Sequence, residues 1–488
     1  MTPTTSDNSV KEKKSSKLFA GFEKDFWTAN GVELLERAAY YGVFIVITLY
    51  LSRILGFDDI EAAWISGCFS AGLYFLPTFT GALADKIGFR SSLLIAFSLL
   101  TLGYLGLAIF PVLLESQGLV KYGQQVVFTG LLSADVRWAI VPIMVMIMIG
   151  GSFIKAVITG TVARTTTAEN RAKGFSIFYM MVNIGAFSGK TIVKPLRESM
   201  GDLGLINLNY FAASMTLLAF FSILFFFKNT QHNENSKSLA EVWLAFTKVL
   251  SNGRLVALIL IITGFWMVQH QLYATMPKYV LRMAGEGASP SWYANVNPLV
   301  VVLTVSFVTA LMRKRSALFS MTTGMLIMPF SALIMASGNM FSNDIDLGFM
   351  QVHPIALMMI IGIVFQGLAE SFISPRFLEY FSLQAPKGEE GLYLGFSHLH
   401  SFISSLLGFG LSGYLLNAYC PDPRKFTSHQ AWQEAAINAH YIWYIFAGIA
   451  TVSAIALIIY GKVIQRLDNA SQCDFSGEIL SQQSATKV

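Results

Sequence analysis

The feature that most constrains this chain is a series of apolar stretches, each about twenty residues or longer, that recurs along most of its 488 residues. A helix of that length crosses the hydrocarbon core of a bilayer, and it satisfies its own backbone hydrogen bonds there. Charged residues make up 13% of the chain, about half the share of an ordinary soluble domain. The sequence therefore predicts an all-α integral membrane protein.

We count twelve such stretches, and a polar segment at residues 228–254 separates the first six from the last six. They lie near residues 32–55, 61–85, 91–115, 139–163, 174–196, 208–228, 255–281, 292–313, 316–338, 353–383, 391–417 and 437–463. We therefore predict two six-helix bundles, at residues 32–228 and 255–464. The remaining parts are an N-terminal tail (1–31), a linker (229–254) and a C-terminal tail (465–488).

The distribution of Lys and Arg predicts the orientation. The N-terminal tail and the cluster Arg313–Lys314–Arg315 fall on the side of the linker, and basic loops stay cytoplasmic. Both termini are thus predicted to be cytoplasmic in a multi-pass plasma-membrane protein, which in a Gram-negative bacterium is the inner membrane. Residues 471–488 lack an apolar period and predict no regular structure. One set of linker residues recurs at helical spacing and predicts an interfacial helix: Leu239, Val242, Trp243, Phe246 and Leu250.

The first apolar stretch carries three ionisable residues. Glu33, Glu36 and Arg37 share one helical face with Tyr40 and Tyr41, at offsets of 0, 3, 4, 7 and 8. A charge inside a membrane costs about 2–4 kcal/mol, so it normally faces a cavity and serves a function. The alternative is an ion-pair cluster that only stabilises the fold, but interior ion pairs stabilise poorly compared with apolar packing.

Few other ionisable residues lie inside the predicted spans. Lys155 is a cation of the fourth stretch, and its long side chain is expected to reach a carboxylate across a cavity. Apart from groups at the helix ends, the others that we single out lie in the C-terminal half: Glu370, His270, His398 and His400. His398 and His400 are about 200° apart on a helix, so only one of them can face a cavity. Spacing alone does not choose between the two.

The segment GALADKIGFR, between the second and third stretches, resembles the loop motif of the major facilitator superfamily. The matching positions are Gly81, Asp85, Lys86, Gly88 and Arg90. Glycine lets two helices approach closely, and the charges can hold the turn against a neighbouring helix end in one conformation. The alternative is a basic cytoplasmic turn that only follows the orientation rule. Two prolines inside predicted spans, Pro298 and Pro375, are further candidates for conformational change.

Several segments resemble signatures of the proton-coupled oligopeptide transporter family, in the same order along the chain. They are Glu33–Gly42 (ELLERAAYYG), Lys155 after a Gly-Gly pair, FSIFYMMVNIGAF with Asn183, VNPL with Asn297 and Pro298, and AESFISP with LQAPKG, which contains Glu370 and Ser371. The family resemblance implies the major facilitator fold, which has twelve helices in two bundles. It also implies transport by alternating access, in which the two bundles move relative to each other around the binding site. It also implies import of di- and tripeptides or peptide-like molecules together with protons.

The resemblance assigns roles to the matching residues. The predicted proton-coupling group is Glu33, Glu36, Arg37, Lys155, His270 and Glu370. The predicted substrate-binding group is Tyr40, Tyr41, Tyr74, Lys155, Asn183, Asn297, Glu370, Ser371, Ser397 and His398. Lys155 would hold the substrate carboxylate, and Asn183, Asn297 and Glu370 its amino end. For the Tyr and Asn residues, helix–helix packing is the alternative.

Four positions depart from the family pattern. Phe44 replaces an arginine and His270 replaces an acidic residue, and in the family these two groups form an ion pair between the halves. Ser397 replaces a cavity tryptophan, and Ala38 also replaces an aromatic residue. Losing both ion-pair partners avoids stranding one buried charge. Imidazole titrates near neutral pH, so His270 either takes over part of the proton coupling or is hydrogen-bonded to a neighbouring helix.

These departures leave the substrate open. The alternative to peptides is an amino acid, an organic acid or a carboxylated metal chelator, and a less favoured one is export by proton antiport. A sensor without turnover is disfavoured because the chain lacks an output domain. We see no P-loop, metal-ligand cluster or nucleophile motif, so we expect neither an enzyme nor a cofactor, and we expect the proton gradient to drive transport. The expected partners are a small-molecule substrate, protons and membrane lipid, without nucleic acid, and the expected state is a monomer.

Overall fold

The computed structural model describes residues 21–123, 126–167, 170–228, 238–348, 350–384 and 395–485. Helices dominate it. In the first half they are α1 (Lys24–Phe44), α2 (Ile47–Arg53), α3 (Asp59–Phe75), α4 (Pro77–Ile87), α5 (Phe89–Ser116), α6 (Ile140–Arg164), α7 (Arg171–Met200) and α8 (Leu203–Phe226). The predicted first span begins earlier than expected, at Lys24, and it bends by 46° between α1 and α2.

The second half follows a linker helix. Its elements are α9 (Leu239–Ser251), α10 (Gly253–Gln269), α11 (Gln271–Ala274), α12 (Met276–Ala284), α13 (Pro290–Tyr293), α14 (Val296–Met312), α15 (Ala317–Ser337), α16 (Pro354–Leu383), α17 (Leu399–Tyr419), α18 (His429–Ala435) and α19 (Tyr441–Ala485). The seventh predicted span is broken twice, at His270 and at Thr275, which Pro277 follows. Proline is accepted in a first helical turn, because its missing N–H has no partner there in any case.

Two short antiparallel hairpins lie in connections between helices. Strand β1 (Val120–Lys121) pairs with β2 (Val127–Phe128), and β3 (Ile345–Asp346) pairs with β4 (Gln351–Val352). The sequence analysis predicts neither hairpin. Two-residue strands carry too short an alternating pattern to be recognised in a sequence.

Each of the twelve predicted stretches is helical over most of its described length. Among the described residues, nine helices are long and apolar enough to cross a membrane, or ten if the bent pair α1–α2 is one span. The stretches outside this set are α3–α4, whose helices are short, and α7, which is comparatively polar. The all-α membrane fold is therefore confirmed, and the number of twelve spans stays a prediction.

Close helix packing positions the polar face of α1. A Cβ atom built on Gly189 of α7 would lie 2.2 Å from the carbonyl oxygen of Ala38, and one on Gly185 would lie 2.5 Å from that of Leu34. Glycine at both positions therefore lets the backbones of α1 and α7 touch. The two halves approach similarly at Gly413 of α17, where a Cβ atom would lie 2.7 Å from the carbonyl oxygen of Asp59.

The linker helix forms as predicted, and the tail does not. Ser238 and Glu241 make a capping box at the start of α9, and Trp243 and Phe246 pack on Phe79 and Phe75 of the first half. The C-terminal segment, which we expected to lack regular structure, continues helix α19 as far as Ala485. That expectation was wrong, because the absence of an apolar period does not prevent a helix from continuing past a membrane span.

Candidate functional site

The polar face of α1 forms one compact ion cluster. Arg37 Nε lies 3.1 Å from Glu33 Oε1, and Arg37 Nη2 lies 2.5 Å from Glu36 Oε2. The three residues are 7% exposed or less, and Glu33 Oε2 has no hydrogen-bond partner in the part of the chain that the structure describes. One guanidinium thus serves two carboxylates, so the cluster is one positive charge short of neutrality.

Lys155 supplies the nearest additional cation, but it does not touch either carboxylate. Its Nζ atom donates to the carbonyl oxygen of Leu73 at 3.3 Å and lies 4.1 Å from the ring centre of Tyr74. Its charge acts on both Glu33 and Glu36 over a longer distance. The expected direct pair of Lys155 with a carboxylate is therefore absent among the described residues. Instead Tyr74 holds the ammonium by a cation–π contact.

In the second half of the molecule, Glu370 of α16 is bound by side-chain amides. Its Oε2 atom accepts from Gln269 Nε2 at 2.9 Å and from Asn297 Nδ2 at 3.3 Å. No cation of the described chain lies within ion-pair distance of this half-buried carboxylate. The predicted grouping of Asn297 with Glu370 is thus observed, and Gln269 is an additional member.

Phe44, which replaces the family arginine, is the centre of an aromatic cluster that crosses the halves. Its ring is 5.1 Å from that of Tyr40, 5.0 Å from Tyr273 and 6.0 Å from Phe409. Phe409 also contacts His270, at 6.4 Å between ring centres. Apolar contact therefore occupies the place where the family pattern puts an ion pair.

The three histidines have different surroundings. His270 lies at the break between α10 and α11, and its Nδ1 atom is 3.4 Å from the hydroxyls of both Ser404 and Ser405. His398 is exposed and stacks on Tyr74, at 6.3 Å between ring centres. His400 is 3% exposed, and its Nδ1–H donates to the carbonyl oxygen of Ser397. Of the two histidines that spacing could not separate, His398 is thus the exposed one, and it lies against Tyr74.

Three predicted substrate-binding residues are not brought together with the others. Asn183 donates to the carbonyl oxygen of Tyr179 in its own helix. Ser371 bonds Thr304 Oγ1 at 2.8 Å in the contact between α14 and α16. Ser397 is fully buried. Tyr40, Tyr41 and Tyr74, by contrast, are half-buried and lie near the charged groups.

The loop between α4 and α5 is held on two sides. Asp85 pairs with Arg164 of α6 at 2.7 Å, and Arg90 donates to the carbonyl oxygens of Leu224 and Phe227 at the end of α8, both at 3.0 Å. Gly88 has φ +87°, a conformation that side chains rarely adopt. Four candidates for conformational change have simpler settings: Gly81 lies close to Ala156, Lys86 is exposed, and Pro298 and Pro375 lie within α14 and α16.

The sequence analysis missed a buried ion network between the halves. Asp59 of α3 lies 2.8 Å from Lys278 Nζ and 2.7 Å from Arg282 Nη2 of α12, and Lys278 also donates to Ser52. Arg282 donates further to the carbonyl oxygen of Cys420. We call the end of the bundle that contains this network the far end, since it lies across the bundle from the start of α1. Lys278 and Arg282, four residues apart on one helical face, were a detectable signal.

A second network lies beside the first. Arg53 pairs with Glu286 at 2.5 Å and with Asp202 at 3.2 Å, and Arg197 pairs with Glu286 at 2.8 Å. Burial raises the pKa of Glu286, but the hydrogen bond and charge of Arg53 and the charge of Arg197 lower it more. The net pKa therefore lies below its usual value. Similarly, Arg424 and Arg282 outweigh burial and hold the pKa of Asp422 well below its usual range. Both carboxylates are ionised at neutral pH.

Lys190 of α7 is the other residue that sequence reasoning missed. It is 1% exposed, and its Nζ atom donates to the carbonyl oxygen of Ala294 in the second half at 3.2 Å. It lies seven residues after Asn183 and therefore on the same helical face. That spacing from a candidate substrate-binding residue was the available signal.

Comparison with known families supports the fold. A sequence model of the Major Facilitator Superfamily matches residues 32–348. The chain is similar to dipeptide and tripeptide permease B of Aeromonas hydrophila, with 23% identity over 94% of this chain and 97% of that protein. It is also similar to dipeptide and tripeptide permease A of Yersinia pestis, with 26% identity over 56% of this chain and 49% of that protein.

Solved structures agree in architecture. A peptide transporter POT in complex with sulfate has a TM-score of 0.65 at 19% identity, over 92% of this chain and 96% of that one. The POT family transporter PepTSo has a TM-score of 0.67 at 16% identity, over 91% and 99%. A POT family transporter in complex with 5-aminolevulinic acid has a TM-score of 0.65 at 17% identity, over 91% and 98%. At these identities the likeness shows a shared fold.

Proposed function

This chain belongs to the major facilitator superfamily, and we propose that it is a proton-coupled symporter that imports di- and tripeptides or peptide-like molecules. Its relatives named as peptide permeases and its neighbours among POT transporters support this class of substrate. The observation that carries the proposal is the buried cluster of Glu33, Glu36 and Arg37. Binding a substrate alone does not require two carboxylates around one buried guanidinium.

The cluster is suited to bind and release a proton. With both carboxylates ionised, one negative charge is balanced only by Lys155, which lies beyond ion-pair distance. Protonation of either glutamate removes this excess, and it frees Arg37 or Lys155 to move. A proton thereby changes the relative stability of two conformations, which is what coupling requires. Glu33, Glu36, Arg37 and Lys155 are the proposed coupling group of the first half.

His270 and Glu370 are the proposed proton sites of the second half. The hydroxyls of Ser404 and Ser405 can each donate or accept a hydrogen bond, so both neutral and charged His270 can be satisfied. Glu370, with Asn297 and Gln269, offers acceptors and donors for the amino end of a peptide. The rest of the substrate would contact five further residues that lie near the charged groups: Tyr40, Tyr41, Tyr74, Lys155 and His398. Asn183, Ser371 and Ser397 would need a rearrangement to do so.

The far-end networks support alternating access. Asp59, Lys278 and Arg282 tie the halves together at that end, and Arg53 and Glu286 do so beside them. With both termini on the cytoplasmic side, the far end is external and this conformation is closed to the outside. The loop between α4 and α5 would hold the first half together on the cytoplasmic side, through its motif residues Gly81, Asp85, Lys86, Gly88 and Arg90. Pro298 and Pro375 would allow α14 and α16 to bend.

The same reasoning gives the setting in the cell. The fold and family are those of a multi-pass membrane transporter. We propose the plasma membrane, or the inner membrane of a Gram-negative bacterium, as its location, with both termini cytoplasmic. We propose that the chain acts as a monomer, is not an enzyme, needs no cofactor or nucleic acid, and takes its driving force from the proton gradient.

A second candidate function is proton-coupled transport of a non-peptide substrate such as an amino acid, an organic acid or a carboxylated chelator. The aromatic cluster around Phe44 favours it, because this cluster removes a cation that a peptide carboxylate could use. Uptake of labelled dialanine and trialanine into proteoliposomes, with and without an inward proton gradient, separates the candidates. Gradient-dependent accumulation supports the peptide symporter. Folded protein without peptide uptake, but with proton-driven uptake of an amino acid or organic acid, supports the second candidate.

A further inference from the structure

Lys190 is a buried cation that the coupling scheme above does not use. Its side chain is 1% exposed, and an ammonium has three donors to satisfy. Among the described residues it donates to one oxygen, the carbonyl of Ala294, and lies 5.5 Å from the ring centre of Tyr41. A lone carbonyl does not balance a full positive charge away from water. The charge of Lys190 therefore needs an anion nearby.

The carboxylate connected to this contact is Glu370 of the other half, which accepts a hydrogen bond from Asn297, three residues after Ala294. No direct ion pair joins it to Lys190, since Glu370 contacts the amides of Gln269 and Asn297. Ala294 lies in the break between α13 and α14, and Asn297 follows three residues later in the first turn of α14. The ammonium and the carboxylate thus both contact this segment, one through Ala294 and the other through Asn297.

Lys190 also lies in a hydrogen-bonded contact between the halves, which we call the α7 latch. Besides Lys190 to Ala294, the latch contains Trp292 Nε1–H donating to the carbonyl oxygen of Thr191 at 3.0 Å. Asn295 Nδ2 donates to Thr191 Oγ1, also at 3.0 Å. All of these bonds connect α7 with the segment around the break between α13 and α14. The charge on Lys190 and the closure of the latch are therefore parts of one interaction.

The charges in the middle of the bundle support this role. Without Lys190, the charged groups there are three carboxylates and two cations. The carboxylates are Glu33, Glu36 and Glu370, and the cations are Arg37 and Lys155. With Lys190 there are three of each, and the set is neutral. Removing the charge of Glu370 leaves Lys190 as an uncompensated buried cation, which favours a conformation in which water reaches it.

We propose that Lys190 is a coupling residue whose contacts depend on whether Glu370 is ionised. Ionised Glu370 keeps Lys190 charged and the α7 latch closed, whereas a proton or the ammonium of a substrate on Glu370 releases the latch. Among the described residues, the titratable groups whose charges bear on Lys190 are Tyr41 on α1 and Glu370 on α16, and Ala294 contributes its carbonyl oxygen. The inference rests on the proposed function. It names Lys190 as the residue through which both a proton and a substrate, by binding Glu370, release the α7 latch.

Three variants separate charge from hydrogen bonding. Lys190→Met removes the charge and keeps the length, Lys190→Arg keeps the charge, and Thr191→Val removes one latch hydrogen bond without any change in charge. In proteoliposomes, we expect Lys190→Met to lose proton-driven accumulation by about tenfold or more while counterflow exchange continues. Lys190→Arg should retain most of the accumulation. Thr191→Val should keep the wild-type pH dependence, because its charges are unaltered.

A measurement without transport makes the result independent of the substrate. Spin labels at Ser199→Cys and Gly287→Cys, both exposed, report the separation of the two halves beside the latch in protein whose native cysteines are replaced. We expect this distance to increase on acidification in the wild type and to be already increased in Lys190→Met at both pH values. Unchanged distances and pH response in Lys190→Met would overturn the inference. Failure of the wild type to accumulate peptide would instead count against the proposed substrate and leave this distance test decisive.

Discussion

Asp59 on helix α3 and Lys278 on helix α12 form a buried ion pair, 2.8 Å long, that joins the two halves of the molecule at the far end. Arg282 completes it with bonds to both oxygens of the same carboxylate, at 2.7 and 3.0 Å. A carboxylate shared by two buried cations holds α3 and α12 together strongly. Each of the three charges needs the others, because a buried charge without its partner is unfavourable. Opening the far end must therefore move α12 away from α3 and expose all three groups to water.

Replacing Asp59 should open the far end. Asp59→Asn removes the carboxylate that Lys278 and Arg282 share and leaves Arg282 only the more distant Asp422, at 3.9 Å. Breaking a buried pair of this kind costs about 3–5 kcal/mol. Cys420, which is buried and whose carbonyl accepts from Arg282, is a native reporter. We expect a membrane-impermeant thiol reagent to label Cys420 faster in Asp59→Asn than in the wild type, with Cys68 and Cys473 replaced in both.

Lys278→Met is the matched comparison. It leaves Asp59 paired with Arg282 one to one, so the effect on labelling should be clearly smaller than that of Asp59→Asn. Equal labelling of Cys420 in the wild type and Asp59→Asn would show that this network does not close the far end.

Glu36→Gln should uncouple transport from protons. The substitution keeps the side-chain size but removes the titrating partner that lies 2.5 Å from Arg37. We expect proton-driven accumulation to fall by about tenfold or more, while counterflow, which needs no net proton movement, continues. Glu33→Gln is the companion variant, in which Arg37 keeps Glu36. If both variants accumulate peptide as the wild type does, the cluster on α1 does not couple protons.

His270→Gln tests the proposed proton site of the second half. Glutamine can still bond to Ser404 or Ser405, but it cannot titrate. We expect the pH dependence of peptide uptake to flatten or shift, with the amount of folded protein unchanged. A pH profile that coincides with that of the wild type would remove His270 from the coupling path and leave it a hydrogen-bonded structural residue.

The ion pair that the family pattern has at positions 44 and 270 can be restored by substitution. Phe44→Arg places a cation among Tyr273, Phe69 and Phe409, where no described anion contacts it, and should lower the melting temperature. Adding His270→Glu supplies the missing anion, so the double variant should regain stability, with a coupling energy of about 0.5–3 kcal/mol. Simple additivity of the two single effects on thermal unfolding would show that these positions do not interact.

The sequence predicted those features that one helix decides by itself. The shared face of Glu33, Glu36 and Arg37 follows from spacing, and the structure shows the three in one cluster. Spacing could not tell which of His398 and His400 faces the site, because that depends on where α17 begins. It also could not place Lys155, whose contact with Tyr74 depends on how α3 and α6 pack against each other.

What was missed depends on contacts between distant parts of the chain. Asp59 and Lys278 are separated by 219 residues, and each alone resembles an ordinary charge near a helix end. Lys190 is buried only because the segment at Ala294 covers it from the other half. The spacing of Lys278 from Arg282, and of Lys190 from Asn183, places each pair on one helical face. That spacing does not show which part of the other half covers the face.

The most direct test of proton-coupled peptide symport is proton movement caused by peptide alone. A pH-sensitive dye is enclosed in proteoliposomes that have no imposed pH gradient, and dialanine is then added outside. We predict acidification of the lumen that is absent with empty liposomes and strongly reduced with Glu36→Gln. Dialanine that enters the vesicles without acidifying them would contradict the proposal, because the peptide would then move without a proton.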